Sequence, residues 1–593
     1  MKNLTLGGAW RALGLVAGWW LGAMLSPAPA SGAPVRLTEQ APVTVVRLGG
    51  DRWLVDFGRV AFGNLRLQPA GGPEARVTVH FGEAQAQGRV ERKPPGTVRY
   101  AVAEVTLAAK PVVVAPAPDA RNTRPPAVLT PAEWGVVLPF RWVEIEGWPG
   151  DLRPEQIRRR AAFDATWDDQ AAAFRSSDEL LNRVWDLCLY SIKATTFAGV
   201  FVDGDRERIA YEADAYLNQL SYYAGNADVR MARDTYDHLM AFPTWPTEWA
   251  SHMVLMADAD WRHTGDRAWL AARFEALRAK LLLERVGPDG LVVSSAAQIK
   301  HGDIVDWPLG ERDGYVFRPV NTVINAFYLH ALNRMAALAR DLGRDVEAAE
   351  YGERFRVGLA AFQARLFDPV RGLYVDGEGT EHASLHANLF PLAFGLVPEA
   401  HRPGITRWLT GRGMACSVYA AQYLLEALFM NGADREALAL MLAPGDRSWR
   451  YMVESGTTIT WEAWAQHYKP NQDWNHAWGA APANLLPRFV LGVQPLEPGW
   501  ARAQVRPQPG GLAWSEGRVP TPQGPIDVRW ARDAATFTLT LALPPGMPAR
   551  IEVPAASGTG EVRVNGRAVR ATQADGYWRL ADEVTGRVVI EVR

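Results

Sequence analysis

The hydrophobic period of this chain changes twice, and those two changes constrain its fold more than any other feature. Up to about Trp167, apolar and polar residues alternate in short runs such as Trp53-Leu54-Val55-Asp56-Phe57-Gly58 and Arg76-Val77-Thr78-Val79-His80-Phe81. Alternation of this kind is the period of strands, whose successive side chains point to opposite faces. From Ser176 the spacing becomes helical (Leu180, Leu181, Val184, Trp185, Cys188), with Ser176 and Glu179 as a candidate capping box. Strand alternation returns after about Gln494, cleanly in Thr536-Phe537-Thr538-Leu539-Thr540-Leu541.

A chain of 593 residues exceeds what one hydrophobic core can organise, so the period changes are read as domain boundaries. The expected plan is an N-terminal β-sandwich over 34–170, a helical domain over 171–492 and a C-terminal β-sandwich over 493–593. Pro111 to Pro131 is too rich in proline for a central strand and reads as a long surface loop. The helical domain has room for about a dozen helices with their connections. Taken as consecutive hairpins, these can close into an (α/α)6 barrel whose connecting loops converge at one end. The fold class is therefore multidomain α+β, with a central six-hairpin toroid between two β domains.

Residues 1–33 carry Lys2 and Arg11, an apolar run from Ala12 to Leu25 and the small-residue stretch SPAPASGA. That is the build of a secretory signal peptide, the alternative being a retained anchor, and it predicts a secreted or periplasmic protein. The only cysteines, Cys188 and Cys416, lie in apolar helical surroundings and are expected to be buried free thiols. A formal net charge of −2 without charged blocks offers no attraction for nucleic acid, and no stable membrane insertion is expected.

Three carboxylate-rich segments stand out. Asp203, Asp205, Glu207, Glu212 and Asp214 are interleaved with Arg206, Arg208 and Tyr211 in a loop that feeds a helix. Asp306 and Trp307 sit in the run GDIVDWPLGERDGY. Glu462 lies between Trp461 and Trp464, shortly before Asp473-Trp474-Asn475-His476. His252, His301 and His476 are further candidates for sugar hydroxyls. Such loops could be charge-balanced surface, but 24 tryptophans, several beside acids, supply the flat apolar faces that sugar rings pack on. Glycoside hydrolysis needs one carboxyl to protonate the leaving oxygen and a second carboxylate acting on water or on the anomeric carbon. No nucleotide-binding loop, serine-hydrolase elbow or zinc spacing competes, and neither metal nor organic cofactor is expected.

At these residues the chain resembles the bacterial α-L-rhamnosidases of glycoside hydrolase family 78, over nearly its whole length after residue 33. The Asp56-Phe57-Gly58, His80-Phe81-Gly82-Glu83 and Phe140-Arg141-Trp142-Val143-Glu144 segments resemble that family's β-sandwich. The Arg206-Glu207-Arg208 run, with Asp214 seven residues after its glutamate, resembles the family's acid motif. The resemblance implies Glu207 as general acid, with Asp203 or Asp205 and Asp214 holding sugar hydroxyls. Gly456-Thr457-Thr458-Ile459-Thr460-Trp461-Glu462 resembles its second motif and implies Glu462 as general base. Asn475-His476 and Asp306-Trp307 resemble its sugar-pocket elements. Tyr211 and Ala213 stand where the family usually has Trp and Gly. The implied activity is exo-acting, inverting release of terminal rhamnose. The alternatives are an (α/α)6 hydrolase or lyase for another sugar, and a non-catalytic carbohydrate-binding protein.

Overall fold

The computed structural model describes residues 34–71, 74–555 and 560–593, so the expected signal peptide lies outside the described residues. The N-terminal part is a β-sandwich-like domain built on one eight-stranded antiparallel sheet. Its strands are β1 (Val35–Gln40), β2 (Thr44–Gly49), β3 (Arg52–Leu67), β4 (Ala75–Gly82), β5 (Tyr100–Leu107), β6 (Val112–Val114), β7 (Leu138–Glu146) and β8 (Ile157–Asp164). The order is β1-β8-β3-β7-β4-β5, with β2 and β6 also pairing β3. The alternating runs give one face of this sheet to a core that includes Val55, Val77, Val79, Phe81, Phe140 and Val143. The proline-rich stretch is not wholly loop: Val112–Val114 pairs with Leu65–Leu67. It sits where the prolines around it need donate nothing to the ladder.

The helical domain is six consecutive hairpins, each an outer helix followed by an inner one. The hairpins pair α1 (Glu179–Ala194) with α2 (Glu212–Gly225), and α3 (Arg230–Ala241) with α4 (His252–Thr264). The third runs from α5 (Arg267–Leu277) through the short α6 (Ala296–His301) to α7 (Thr322–Asp341). Next come α8 (Asp345–Leu366) with α9 (Leu385–Ala393), and α10 (Arg402–Arg412) with α11 (Val418–Met430). The last passes through α12 (Asp434–Met441) and α13 (Trp449–Ser455) to α14 (Ala481–Leu485). The inner helices contact in the closed ring α2-α4-α7-α9-α11-α14-α2. They are buried nearly all round, as α7 and α11 show, whereas α3 and α10 bury a single stripe. That contrast is what separates an inside helix from a surface one.

The cap of α1 differs from the expectation. Asp178 is the N-cap, accepting from Leu181 N at 3.0 Å, because Ser176 is still in a strand and binds Asn182 instead. That strand, β9 (Ala173–Ser176), pairs with β10 (Trp514–Val519) of the C-terminal domain. From there the sheet continues through β11 (Ile526–Arg532), β12 (Phe537–Ala542) and β13 (Arg587–Val592). Cys188 and Cys416 are buried and free. Among the described residues no helix is long and apolar enough to cross a membrane.

Candidate active site

Every loop that carries a candidate acid joins an outer helix to the following inner helix, so the hairpin topology gathers these loops at one end of the barrel. They enclose a cavity of about 200 Å³ lined by Asp203, Arg206, Glu207, Tyr211, Asp214, Trp307, Glu462 and His476. These eight are sequence candidates. Trp245, Trp249, Ile304 and Trp478 complete the wall, and the tryptophan count alone did not single them out.

The loop before α2 is shaped by its own acids. Asp203 accepts from Ile209 N at 2.9 Å, and its backbone N donates to Ile209 O at 2.8 Å, closing the loop on itself. Gly204 has φ +148°, and a Cβ there would lie 2.5 Å from Asp473 Oδ2 and 3.0 Å from Asn475 O. Only glycine permits that approach at that backbone angle. Asp205 N and Arg206 N then donate to Asn475 Oδ1 and Asp473 Oδ2, tying the first candidate loop to the last.

Glu207 and Glu462 meet over one guanidinium. Arg206 Nη2 lies 3.2 Å from Glu207 Oε1 and 2.9 Å from Glu462 Oε1. Lys469 Nζ, on a buried side chain, adds a second cation 3.0 Å from Glu462 Oε1. Glu462 Oε2 has no hydrogen-bond partner among the described residues. Glu207 is the more open carboxylate, its side chain 36% exposed against 2% for Glu462, and its Oε2 accepts from Tyr211 OH at 2.9 Å.

Burial sets the electrostatics. It pushes the Glu462 carboxyl up and Asp473 adds repulsion, while His476, Arg206 and Lys469 pull it back. Burial also raises Asp203 well above the usual carboxylate range, only partly countered by the His476 charge, so its protonated form is favoured. Its Oδ2 has no partner among the described residues and is free to serve a hydroxyl. For His476 burial opposes the charge, but the hydrogen bond to Asp214 and the contact with Asp473 outweigh it and hold the imidazolium. Its Nε2 donates to Asp214 Oδ1 at 2.8 Å, and its Nδ1 lies 3.4 Å from Asp473 Oδ1.

Asp205, Asp306 and Trp461, together with Glu212, His252 and the exposed His301, stand outside the cavity. Asp205 is 1% exposed and consumed by Arg99 and Arg208. Asp306 accepts from His386 Nε2 at 2.7 Å, from Ser417 N and Trp307 N at 2.9 Å, and from Ser417 Oγ, leaving it no capacity for a sugar. Trp461 stacks on Trp474 with ring centroids 5.1 Å apart. His252 likewise belongs to the interior, bonded to Tyr423 OH at 2.7 Å. Glu462, Asp473 and His476 bring ligand-type atoms within 4.8 Å of one another. Arg206 and Lys469 already pair with Glu462 and His476 already donates to Asp214, so a cation there would compete with two bound positive charges.

Comparison with known families gives three consecutive matches. Residues 46–163 match the bacterial alpha-L-rhamnosidase concanavalin-like domain, 169–490 the bacterial alpha-L-rhamnosidase 6 hairpin glycosidase domain, and 492–568 the bacterial alpha-L-rhamnosidase C-terminal domain. A curated alpha-L-rhamnosidase of Streptomyces avermitilis is 24% identical over 576 residues, covering 91% of this chain and 52% of the relative. One from Alteromonas sp. is 28% identical over 247 residues, 39% of this chain and 26% of the relative. This chain thus spans about half the length of the first of these relatives and about a quarter of the second. Among solved structures, an alpha-L-rhamnosidase from Dictyoglumus thermophilum superposes with TM-score 0.78 at 17% identity, covering 95% of this chain and 64% of that one. The Streptomyces avermitilis enzyme complexed with L-rhamnose gives 0.77 at 19%, covering 95% and 54%.

Proposed function

Because the chain belongs to the bacterial alpha-L-rhamnosidase six-hairpin glycosidase family, whose domain matches more than half of it, we propose that it is an exo-acting, inverting α-L-rhamnosidase. Glu207 acts as general acid and Glu462 as general base on the attacking water. Asp203, Asp214 and His476 bind the hydroxyls of the terminal sugar, between tryptophan walls. The observation that carries this reading is the asymmetry at Glu462. One oxygen is held by Arg206 and Lys469, and the other is left without a donor inside a cavity that Glu207 also lines. The two cations oppose the rise that burial imposes on this carboxyl, and its other oxygen keeps its lone pairs free for a water proton. Glu207, about a third exposed, gives its proton to the leaving oxygen in this reading.

Inversion needs room for a water, a carboxyl separation of roughly 6.5–9.5 Å. The two oxygens that share Arg206 Nη2 lie too near each other to frame that water. In this reading the Oε2 atoms, which face away from the shared guanidinium contacts, frame it. The cavity, at about 200 Å³, suits one ring rather than an oligosaccharide, in keeping with attack on a terminal residue. The leader-like residues 1–33 support export as part of the same proposal.

The test is a screen of aryl glycosides, with proton NMR of the first-formed sugar. Aryl α-L-rhamnoside is expected to be cleaved with inverted configuration. Glu207→Gln and Glu462→Gln should each lower kcat by about 10²–10⁴-fold. Turnover of another glycoside but not the rhamnoside overturns the substrate, and a retained anomer overturns both glutamate roles.

A further inference from the structure

The six inner helices also converge at their other ends, and there the barrel holds a second and larger pit, of about 560 Å³. It is closed laterally by the C-terminal halves of α2, α4, α7 and α11 and roofed by residues 493–519 of the C-terminal domain. Tyr423, whose hydroxyl bonds His252, lines this pit, which shares no lining residue with the cavity of the two glutamates.

Two features of this pit call for a ligand. The first is a set of buried polar atoms with no partner among the described residues: His263 Nε2, His330 Nδ1 and Gln508 Oε1. His263 and Gln508 are more than nine-tenths buried. Trp500 Nε1 faces His263 Nδ1 at 3.4 Å, so the neutral ring carries its proton on Nε2 and presents a donor to the pit. Buried polar atoms are rarely left unpaired, because each costs roughly 1–3 kcal/mol. The catalytic cavity bears the same mark, at Asp203 Oδ2 and Glu462 Oε2.

The second is charge. Four arginines line the pit against two carboxylates, Asp258 and Glu426. Arg488 pairs with Glu426, and Arg506, 3.2 Å from Glu552, shares that carboxylate with Arg550 and Arg579. Asp258 is shared by Arg262 at 2.9 Å and Arg334 at 3.6 Å, so one positive charge is left over between those two guanidiniums. Both histidines are neutral, burial lowering His263 to about 4 and His330 to about 3. Arginines near helix C-termini also complement helix dipoles, but that role needs neither a pit nor unpaired atoms.

We propose that this pit is a second ligand site, separate from the catalytic cavity, that takes a monosaccharide-sized sugar acid. Its carboxylate pairs with Arg262 and Arg334, and its hydroxyls serve His263, His330 and Gln508. The volume lies within the range of small-molecule sites, and Tyr216 and Phe394 supply apolar wall.

The experiment is isothermal titration of the full chain with D-glucuronate, with D-glucose and acetate as comparisons. The expected result is one saturable site for glucuronate, at least tenfold tighter than for glucose or acetate. Arg334→Met should weaken it tenfold or more, and Asp203→Asn, in the catalytic cavity, should leave it unchanged. If Arg334→Met does not fold, Gln508→Leu at the pit roof serves, with a several-fold loss expected. No saturable binding, equal binding of glucose or acetate, or binding lost in Asp203→Asn and kept in the pit variants each overturns the proposal. The readout is binding without turnover, so it stands or falls apart from the rhamnosidase reading.

Discussion

Lys469 shows how much of a carboxylate's chemistry lies beyond its own loop motif. It sits seven residues after Glu462 in a segment (Gln466-His467-Tyr468-Lys469) that no pattern marks, yet it is buried against the Glu462 oxygen that Arg206 also holds. Burial already raises Glu462 and Lys469 opposes that rise, so Lys469→Met should push the carboxyl higher. A base must be ionised to act, so the acidic limb of the kcat/KM profile is expected to move up by about one pH unit or more. An unmoved limb would mean that Lys469 only fills space. The same distance problem explains why Asp306 misled: its partners His386 and Ser417 lie 80 and 111 residues away. Residue types and local spacing marked the carboxylate-rich loops, and the family resemblance picked out Glu207, Glu462, Asp214, His476 and Asp203 or Asp205 within them. Which acids were already satisfied by remote donors could not be read there, and Asp205 and Trp461 were misplaced for the same reason.

Among the elements, the loop between α1 and α2 carries the most information per residue. Its acids and Gly204 were readable as a loop feeding a helix. The close approach of residues 473–475 was not, because it depends on the sixth hairpin returning beside the first. Gly204→Ala places a Cβ at a φ that side chains rarely adopt and against Asn475 O and Asp473 Oδ2. The strain is expected to cost about 1–3 kcal/mol and to displace Arg206. Kinetics and urea unfolding should show kcat falling more than tenfold with a modest stability loss. Wild-type kcat would place Arg206 outside the chemistry. Hairpin count follows the same logic. The long periodic runs of α7 and α8 were plain, while α9, with Pro391 inside it, and short α12 and α13 lacked the length that periodicity needs.

For the whole molecule, the three domains form one working unit. Arg99, in the N-terminal domain, pairs with Asp205 of the catalytic-side loop, and Glu83 accepts from Asn475 Nδ2 at 2.9 Å. Arg99→Met leaves a buried carboxylate with Arg208 alone. The loss should therefore fall below the roughly 3–5 kcal/mol of a wholly orphaned buried charge, while activity drops because the loop is no longer seated. Denaturant unfolding with parallel assays checks this, and an unchanged midpoint would show that the domains merely abut. The β–α–β plan was legible because period is a local property, whereas contacts between domains are written in no single window. The strand at Ala173–Ser176 carries this further, into biosynthesis. It is the entry to the barrel, yet its ladder partner is Trp514–Val519, some 340 residues later. At about 5–20 residues per second, the nascent chain carries that strand without its partner for tens of seconds. An unpaired strand is a template for wrong pairing, so the interval before release from the ribosome is when this protein is most exposed to aggregation.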